Sequence, residues 1–301
     1  MSSVKDKERG LIIFHAGSLD IPFSKIEREF KAIHPELYIS RHGGGSTKLA
    51  KMIAESKDSA DILASADYQV IDDVLVPDSA TWNILFATNR LVLCFTEKSK
   101  YAGQISGDNW FEILLKSEVK WGHSDPYLDP CGYRSLMLFQ LAELYYGEQG
   151  LNERLLKNRR AENIKPKSTE LVTMLKSGHL DYAWEYMSVA VQHGLNFVEL
   201  PDQINLGNPE FDNFYSKAKV DLSGDDSAKA LRHGKACVYG VTIVKNSPYR
   251  AAAEAFLAYM LNPEGGLRIL TQEGQTPIIP CRLSSIDMLQ QVPEPLRSLL
   301  E

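Results

Sequence analysis

Apolar positions along the chain follow two rhythms, short unbroken runs and stretches repeating every three to four residues, with turn residues where one gives way to the other. In "GLIIFHAGSL" the run Leu11 to Phe14 predicts a buried strand that breaks at Ala16-Gly17-Ser18. Apolar residues then recur at Leu19, Phe23, Ile26, Phe30 and Ile33 before Pro35. Alternating steps of four and three put them on one helical face. "LYIS" predicts a second strand. In "RHGGGSTKLAKMIAES" the glycines predict a flexible turn, Ser46 an N-cap, and Leu49, Met52 and Ile53 the inward face of a helix. "ADILASAD" predicts a third strand.

This alternation is the α/β signature. "WNILFATNRLVLCF" stays apolar for longer than an average strand, so it predicts a strand passing between two lobes near residues 87–89. "ACVYGVTIV", 236–244, predicts a second crossing. Between them, "VKWGHSDPYLDPCGYRSLMLFQLAELYY" reads as strand, turn and long helix. "STELVTMLKSGHLDYAWEYMSVAVQHG" reads as helix, strand and short helix with glycine stops. The two helices predicted after residue 246 need a sheet to cover, and the N-terminal strands supply one. The expected partition is therefore a discontinuous lobe, 1–86 plus 246–301, and an inserted lobe, 87–245. A polar stretch from residue 223 reads as an exposed loop.

A chain of 301 residues is long enough for two such cores. The formal net charge of −6, with no dense Lys/Arg cluster, argues against nucleic acid as a partner. Cys94, Cys131, Cys237 and Cys281 lack any C-x-x-C spacing and read as small buried hydrophobes. No apolar run approaches membrane-span length, and "MSSVKDKERG" is a polar start, as expected of a soluble protein or of a mature form without its leader.

Small polar residues gather at four strand-to-helix junctions: "HAGSL", "GGGST", "DPCGYRS" and "WEYMSVA". Such junctions offer free helix N–H groups to anions at the carboxyl ends of strands. With two junctions in each lobe, the expected ligand lies in a cleft between lobes, met by Gly17, Ser18 and Ser46 from one side. His15 follows the first strand beside this site, and Arg134 reads equally as an anion clamp or a structural partner. Motifs of nucleophilic, phosphate-loop, zinc-hydrolase and dinucleotide chemistry are missing. Asp129 and Glu185 sit at the mouths of the inserted lobe's junctions, where they would repel an oxyanion. Either Asp129 caps its helix and faces away, or the ligand carries an electrophilic metal centre that carboxylate oxygens can bond.

"HAGSL", "GGGSTKLA", "DILASAD", "DPCGYRS" and "YAWEYMSVA", in this order over nearly the whole chain, resemble the tungstate/molybdate-binding proteins of archaeal ABC importers. "DPCGYRS" and "EY-x-SVA" are the specific parts of the match; "AGSL" alone fits many type II binding proteins. The resemblance implies a two-lobed periplasmic-binding-protein-like type II fold with two crossing strands as hinge and the ligand in the interlobe cleft. It implies a site of Gly17, Ser18, Ser46, Asp129, Pro130 and Cys131 with Glu185 opposite, Cys131 acting through its backbone N–H. Tungsten or molybdenum would expand from four oxygens to six by accepting one oxygen each from Asp129 and Glu185, which sulfate and phosphate do not do readily.

The expected function is capture of tungstate or molybdate, with no further cofactor and no catalysis, for delivery to an ABC permease and its ATPase subunit. The expected protein is a monomer outside the cytoplasm, touching the membrane only through the permease or an anchor. The family's members are exported, whereas this chain starts without a leader or early cysteine, so a cytoplasmic location stays open. The alternatives are a sulfate, phosphate or organic-anion binder, a small-molecule enzyme with Asp129 and Glu185 as acid and base, and a regulator's sensor domain.

Overall fold

The computed structural model describes residues 10–56, 60–222 and 231–301. Two compact units share the chain: one runs through Thr88 and resumes at Val238, and the other spans Asn89–Cys237. The return point is earlier than the sequence pattern suggested, because residues 240–243 pair with a strand of the first unit.

In the first unit, β1 (Leu11–Ala16), α1 (Asp20–Ile33), β2 (Ile39–Gly44), α2 (Ser46–Glu55), β3 (Ile62–Ser65) and α3 (Tyr68–Val74) alternate before β4 (Ile84–Asn89). The second unit begins with β5 (Leu91–Phe95) and α4 (Trp110–Leu114), then β6 (Trp121–Ser124) and α5 (Pro130–Tyr146). There follow α6 (Leu151–Asn158), β7 (Ile164–Lys165), α7 (Thr169–Lys176), β8 (Tyr182–Tyr186), α8 (Met187–His193) and β9 (Asn196–Val198). After short helices α9 (Asp202–Asn205) and α10 (Asp212–Tyr215), β10 (Lys219–Asp221) pairs with β11 (Leu231–His233). The expected polar loop from residue 223 thus ends in a strand, and its first part, 223–230, lies outside the described residues. The chain re-enters the first unit with β12 (Cys237–Ile243), α11 (Arg250–Met260), α12 (Gly266–Gln272), β13 (Thr276–Leu283) and α13 (Glu294–Arg297). The apolar run expected to form one crossing strand is split at Arg90 into β4 and β5, which belong to different sheets.

The first unit's sheet has the order β13-β4-β12-β3-β1-β2, with β1 parallel to both β2 and β3. On one face, Phe23, Ile26 and Phe30 of α1 are fully buried, and Phe23 and Phe30 pack against Phe256 of α11. On the other, Leu49, Ala50 and Ile53 of α2 join Phe14, Leu63 and Ile71. Ile33 and Met52, read as inward-facing, are exposed instead: Ile33 is the last residue of its helix, and Met52 lies at the edge of the buried stripe.

The second unit's sheet has the order β7-β6-β8-β5-β9, with β6 parallel to both β7 and β8. The first half of α5 is buried almost all round, from Pro130 to Ser135. Gly132 is required there, since a Cβ would collide with the Ser124 carbonyl oxygen at the end of β6. Trp121, Phe139, Trp184 and Trp110 form an edge-packed aromatic core behind this contact. Among the described residues, no helix is long and apolar enough to cross a membrane.

Candidate functional site

The neighbouring parallel strands β7, β6 and β8 release their chains at one sheet edge, each into a helix. The three junctions deliver Ser168 before α7, Asp129 before α5 and Glu185 near the end of β8. Ligands of open α/β sheets bind at such carboxyl ends.

Asp129 caps α5 from an extended backbone, and Pro130 follows as the first helical residue, where its missing N–H costs nothing. One Asp129 oxygen accepts the Cys131 N–H at 3.0 Å, and the other accepts the Ser168 N–H at 2.8 Å. The carboxylate therefore ties two junctions together. Cys131, expected to present its N–H to the ligand, instead orients Asp129. Burial pushes the Asp129 carboxyl up to about 6; the Ser168 and Cys131 amides and the Arg134 charge limit the rise.

Glu185 is completely buried, and neither of its carboxylate oxygens has a hydrogen-bond partner. Burial first, and the Asp129 charge second, raise its pKa well above the usual range. The Ser168 hydroxyl is close enough to favour the charged form but does not reach hydrogen-bond geometry. An ionised, unpartnered carboxylate in such surroundings costs several kcal/mol. Without a partner Glu185 is therefore held protonated, and a partner of positive or electrophilic character would favour its ionised form. Two carboxylates alone are too few for a zinc or calcium cage. Among the described residues, no group of three or more His, Cys, Asp and Glu side chains could hold a metal ion.

The groups around the pair are built to hold it still. Arg134 is buried and donates to the Tyr186 hydroxyl at 2.8 Å, so the residue next to Glu185 is anchored to α5. The Cys131 thiol donates to the Trp184 carbonyl at 3.6 Å. Its pKa is pushed far up by burial and then by Glu185 and Asp129, which removes nucleophilic character. His123 accepts from Arg159 at Nε2, 2.9 Å, and so donates from Nδ1 to the Ser124 carbonyl at 2.6 Å.

The first unit has its own set of junctions, on β1, β2 and β3. Ser18, in the turn Gly17–Leu19, exchanges a hydrogen bond with the Tyr239 hydroxyl at 2.8 Å, and its carbonyl accepts from Gln275 at 3.0 Å. Ser46 is the first residue of α2, with Gly45 as the cap, and its hydroxyl accepts the Ala66 N–H at 3.0 Å. The expected Ser46 cap is therefore replaced by a tie to the next junction. Gly43 and Gly44, expected in a loose turn, continue β2 and pair with His15 and Ala16. His15 is buried, accepts from Arg41 at 3.2 Å and donates to the Ala16 carbonyl at 2.9 Å.

Gly17, Ser18 and Ser46 thus share one sheet edge in the first unit, and Asp129, Pro130, Cys131 and Glu185 share another in the second. Ser168, Tyr239 and Gln275 were not among the expected residues. Ser168 follows a strand of two residues, too short to leave a periodic signal. Tyr239 and Gln275 reach Ser18 across more than two hundred positions of sequence.

The sequence pattern of the family described as bacterial extracellular solute-binding protein matches residues 11–274. The chain belongs to that family. An uncharacterised solute-binding protein of Petrotoga mobilis is 39% identical to this solute-binding protein, over 97% of this chain and 90% of its own. The molybdate/tungstate-binding protein WtpA of Pyrococcus abyssi is 40% identical, over 86% of this chain and 82% of its own. The solved periplasmic molybdate-binding protein of Azotobacter vinelandii shares the fold, with a TM-score of 0.62 at 16% identity, covering 88% of this chain and 98% of that one. The solute-binding protein thus has the α/β fold of periplasmic binding proteins, with one main sheet in each unit.

Proposed function

We propose that this solute-binding protein captures tungstate or molybdate outside the cytoplasm and hands it, as a monomer, to an ABC permease driven by its ATPase subunit. The observation that carries the reading is the Glu185 carboxylate, fully buried and without a hydrogen-bond partner at either oxygen, beside Asp129. In this reading one oxygen from each carboxylate bonds the metal centre and takes it from four oxygens to six. Gly17, Ser18 and Ser46 are the donors that the first unit's own sheet edge would offer an oxyanion. Pro130 and Cys131, as the first turn of α5, keep Asp129 in place, and the helix N-terminus with the buried Arg134 offsets the accumulated negative charge. The names of its relatives support the choice of ligand.

A sulfate binder is disfavoured because sulfur does not accept carboxylate oxygens, so sulfate gains nothing from the bond proposed for Glu185 and Asp129. An enzyme is disfavoured because no activated nucleophile stands near the two carboxylates, and the Cys131 thiol is held protonated. The test is calorimetric titration with tungstate, molybdate, sulfate and phosphate. Tungstate and molybdate are expected to bind in a one-to-one ratio and to survive millimolar sulfate. Displacement of tungstate by sulfate would rule out metal coordination.

A further inference from the structure

Ser124 closes β6, directly before the loop that leads to Asp129. It is fully buried, and its hydroxyl has no hydrogen-bond partner, although it lies near enough to Asp129 to favour that carboxylate's charged form. In the parallel pairing of β6 with β8, Trp121 faces Tyr182 and Gly122 faces Ala183. Two residues further along, the same register sets Ser124 beside Glu185. An unsatisfied donor and an unsatisfied carboxylate thus stand at the same sheet edge without meeting each other. Leaving such groups unpaired is costly, so their coincidence calls for an occupant that satisfies both.

The Ser124 backbone is also unusually well fixed. Its carbonyl accepts from His123, and the first turn of α5 approaches so closely that position 132 tolerates only glycine. A tetrahedral oxometalate bonded to Glu185 through its metal still presents oxo oxygens, which accept hydrogen bonds.

We infer that the Ser124 hydroxyl donates to an oxo oxygen of the bound oxyanion, making Ser124 a ligand-binding residue of the second unit. The inference rests on the oxyanion reading above and adds to it a neutral donor among the carboxylates. A hydrogen bond to a charged acceptor contributes about tenfold to a hundredfold in affinity.

The experiment is tungstate titration of Ser124→Ala and Ser124→Cys beside Glu185→Gln, with thermal unfolding of each ligand-free protein. Both Ser124 variants are expected to weaken tungstate binding at least tenfold. Their ligand-free melting temperatures should match or exceed that of the wild type, since an unpartnered buried hydroxyl is being removed. Tungstate affinity within twofold of wild type in either variant overturns the inference, as does a ligand-free melting temperature lowered by several degrees, which would mark a structural hydroxyl. If wild type binds and only Glu185→Gln fails, the Ser124 inference falls alone. If wild type takes up no tungstate, it falls together with the reading it rests on.

Discussion

The two units carry the same local device and put opposite chemistry on it. In each, a buried histidine sits one residue before the end of a parallel strand, His15 on β1 and His123 on β6. Each accepts from an arginine at Nε2 and donates from Nδ1 to the next carbonyl, that of Ala16 or Ser124. Both rings are held neutral, with pKa values pushed down to about 4, chiefly by burial. Yet the hydroxyls of Ser18 and Ser46 at the first edge are hydrogen-bonded, whereas the second edge holds Glu185 without a partner. The framework is a folding solution used twice, and the functional asymmetry lies in a few polar residues added at its rim.

The largest effect should come from removing the unpartnered carboxyl. Glu185→Gln keeps the shape of the side chain but cannot bond the metal as an anion. Tungstate affinity should fall at least a thousandfold by calorimetry. The ligand-free melting temperature should change little, because an unpartnered buried amide replaces an unpartnered carboxyl that burial holds protonated. Binding that survives the change would erase the contrast between the two edges.

Protonation offers a second way to break the contrast. Asp129 titrates near 6 in the fold, so below that pH the proton competes with the metal for its oxygen. In the proposed coordination tungstate affinity should therefore fall about tenfold more steeply per pH unit below 6 than above it, since Asp129 then adds one displaced proton to the one Glu185, raised further, already gives up. In Asp129→Asn, which can still cap α5, whatever weak binding remains should lose this slope. An unchanged slope would place the titrating group elsewhere.

A third, smaller effect separates the units by their acid stability. The histidines are depressed from 6.5 to about 4, so the stability they contribute is present above pH 6.5 and is lost as pH falls toward 4, about 3 kcal/mol for each. Asp129 is raised from 3.8 to about 6, so its contribution has the opposite sign: it is present below 3.8 and lost as pH rises through 6, again about 3 kcal/mol. In the second unit Asp129 opposes His123 between pH 4 and 6, and Glu185, whose pKa is also raised, adds to that opposition. The carboxylate beside His15 is that of Asp20, which is exposed and so offers no such offset. Hydrogen exchange at pH 5 against pH 7 should show core amides of β1 and β3 losing protection before those of β6 and β8. Equal loss in both would mean that the carboxylate provides no offset.

Most of this architecture was readable from residue patterns, and the failures are instructive. The strand–helix alternation and the positions of Asp129 and Glu185 at junctions followed from apolar spacing and turn residues. The role of Ser46 did not, because a serine before a helix looks the same whether it caps that helix or accepts the Ala66 N–H. The glycines Gly43 and Gly44 suggested freedom, but a strand beside His15 needs their small size as much as a turn does: a Cβ at Gly43 would come within 3.0 Å of that ring. Ser124 lay ahead of the specific motif "DPCGYRS" and gave no signal, since only the β6–β8 register, carried two residues further, sets it beside Glu185.

The smallest expected effect lies on the neutral edge. Ser46→Ala removes the acceptor of the Ala66 N–H and should cost about 1 kcal/mol of stability, visible as a melting temperature lowered by a few degrees. If Ser46 also donates to the ligand, tungstate affinity should fall by no more than about tenfold, the usual scale of one neutral donor. A loss comparable to that of Glu185→Gln would show the neutral edge carrying as much of the binding as the charged one. The carboxylates would then serve to reject other anions, and affinity would come from donors that any oxyanion could use.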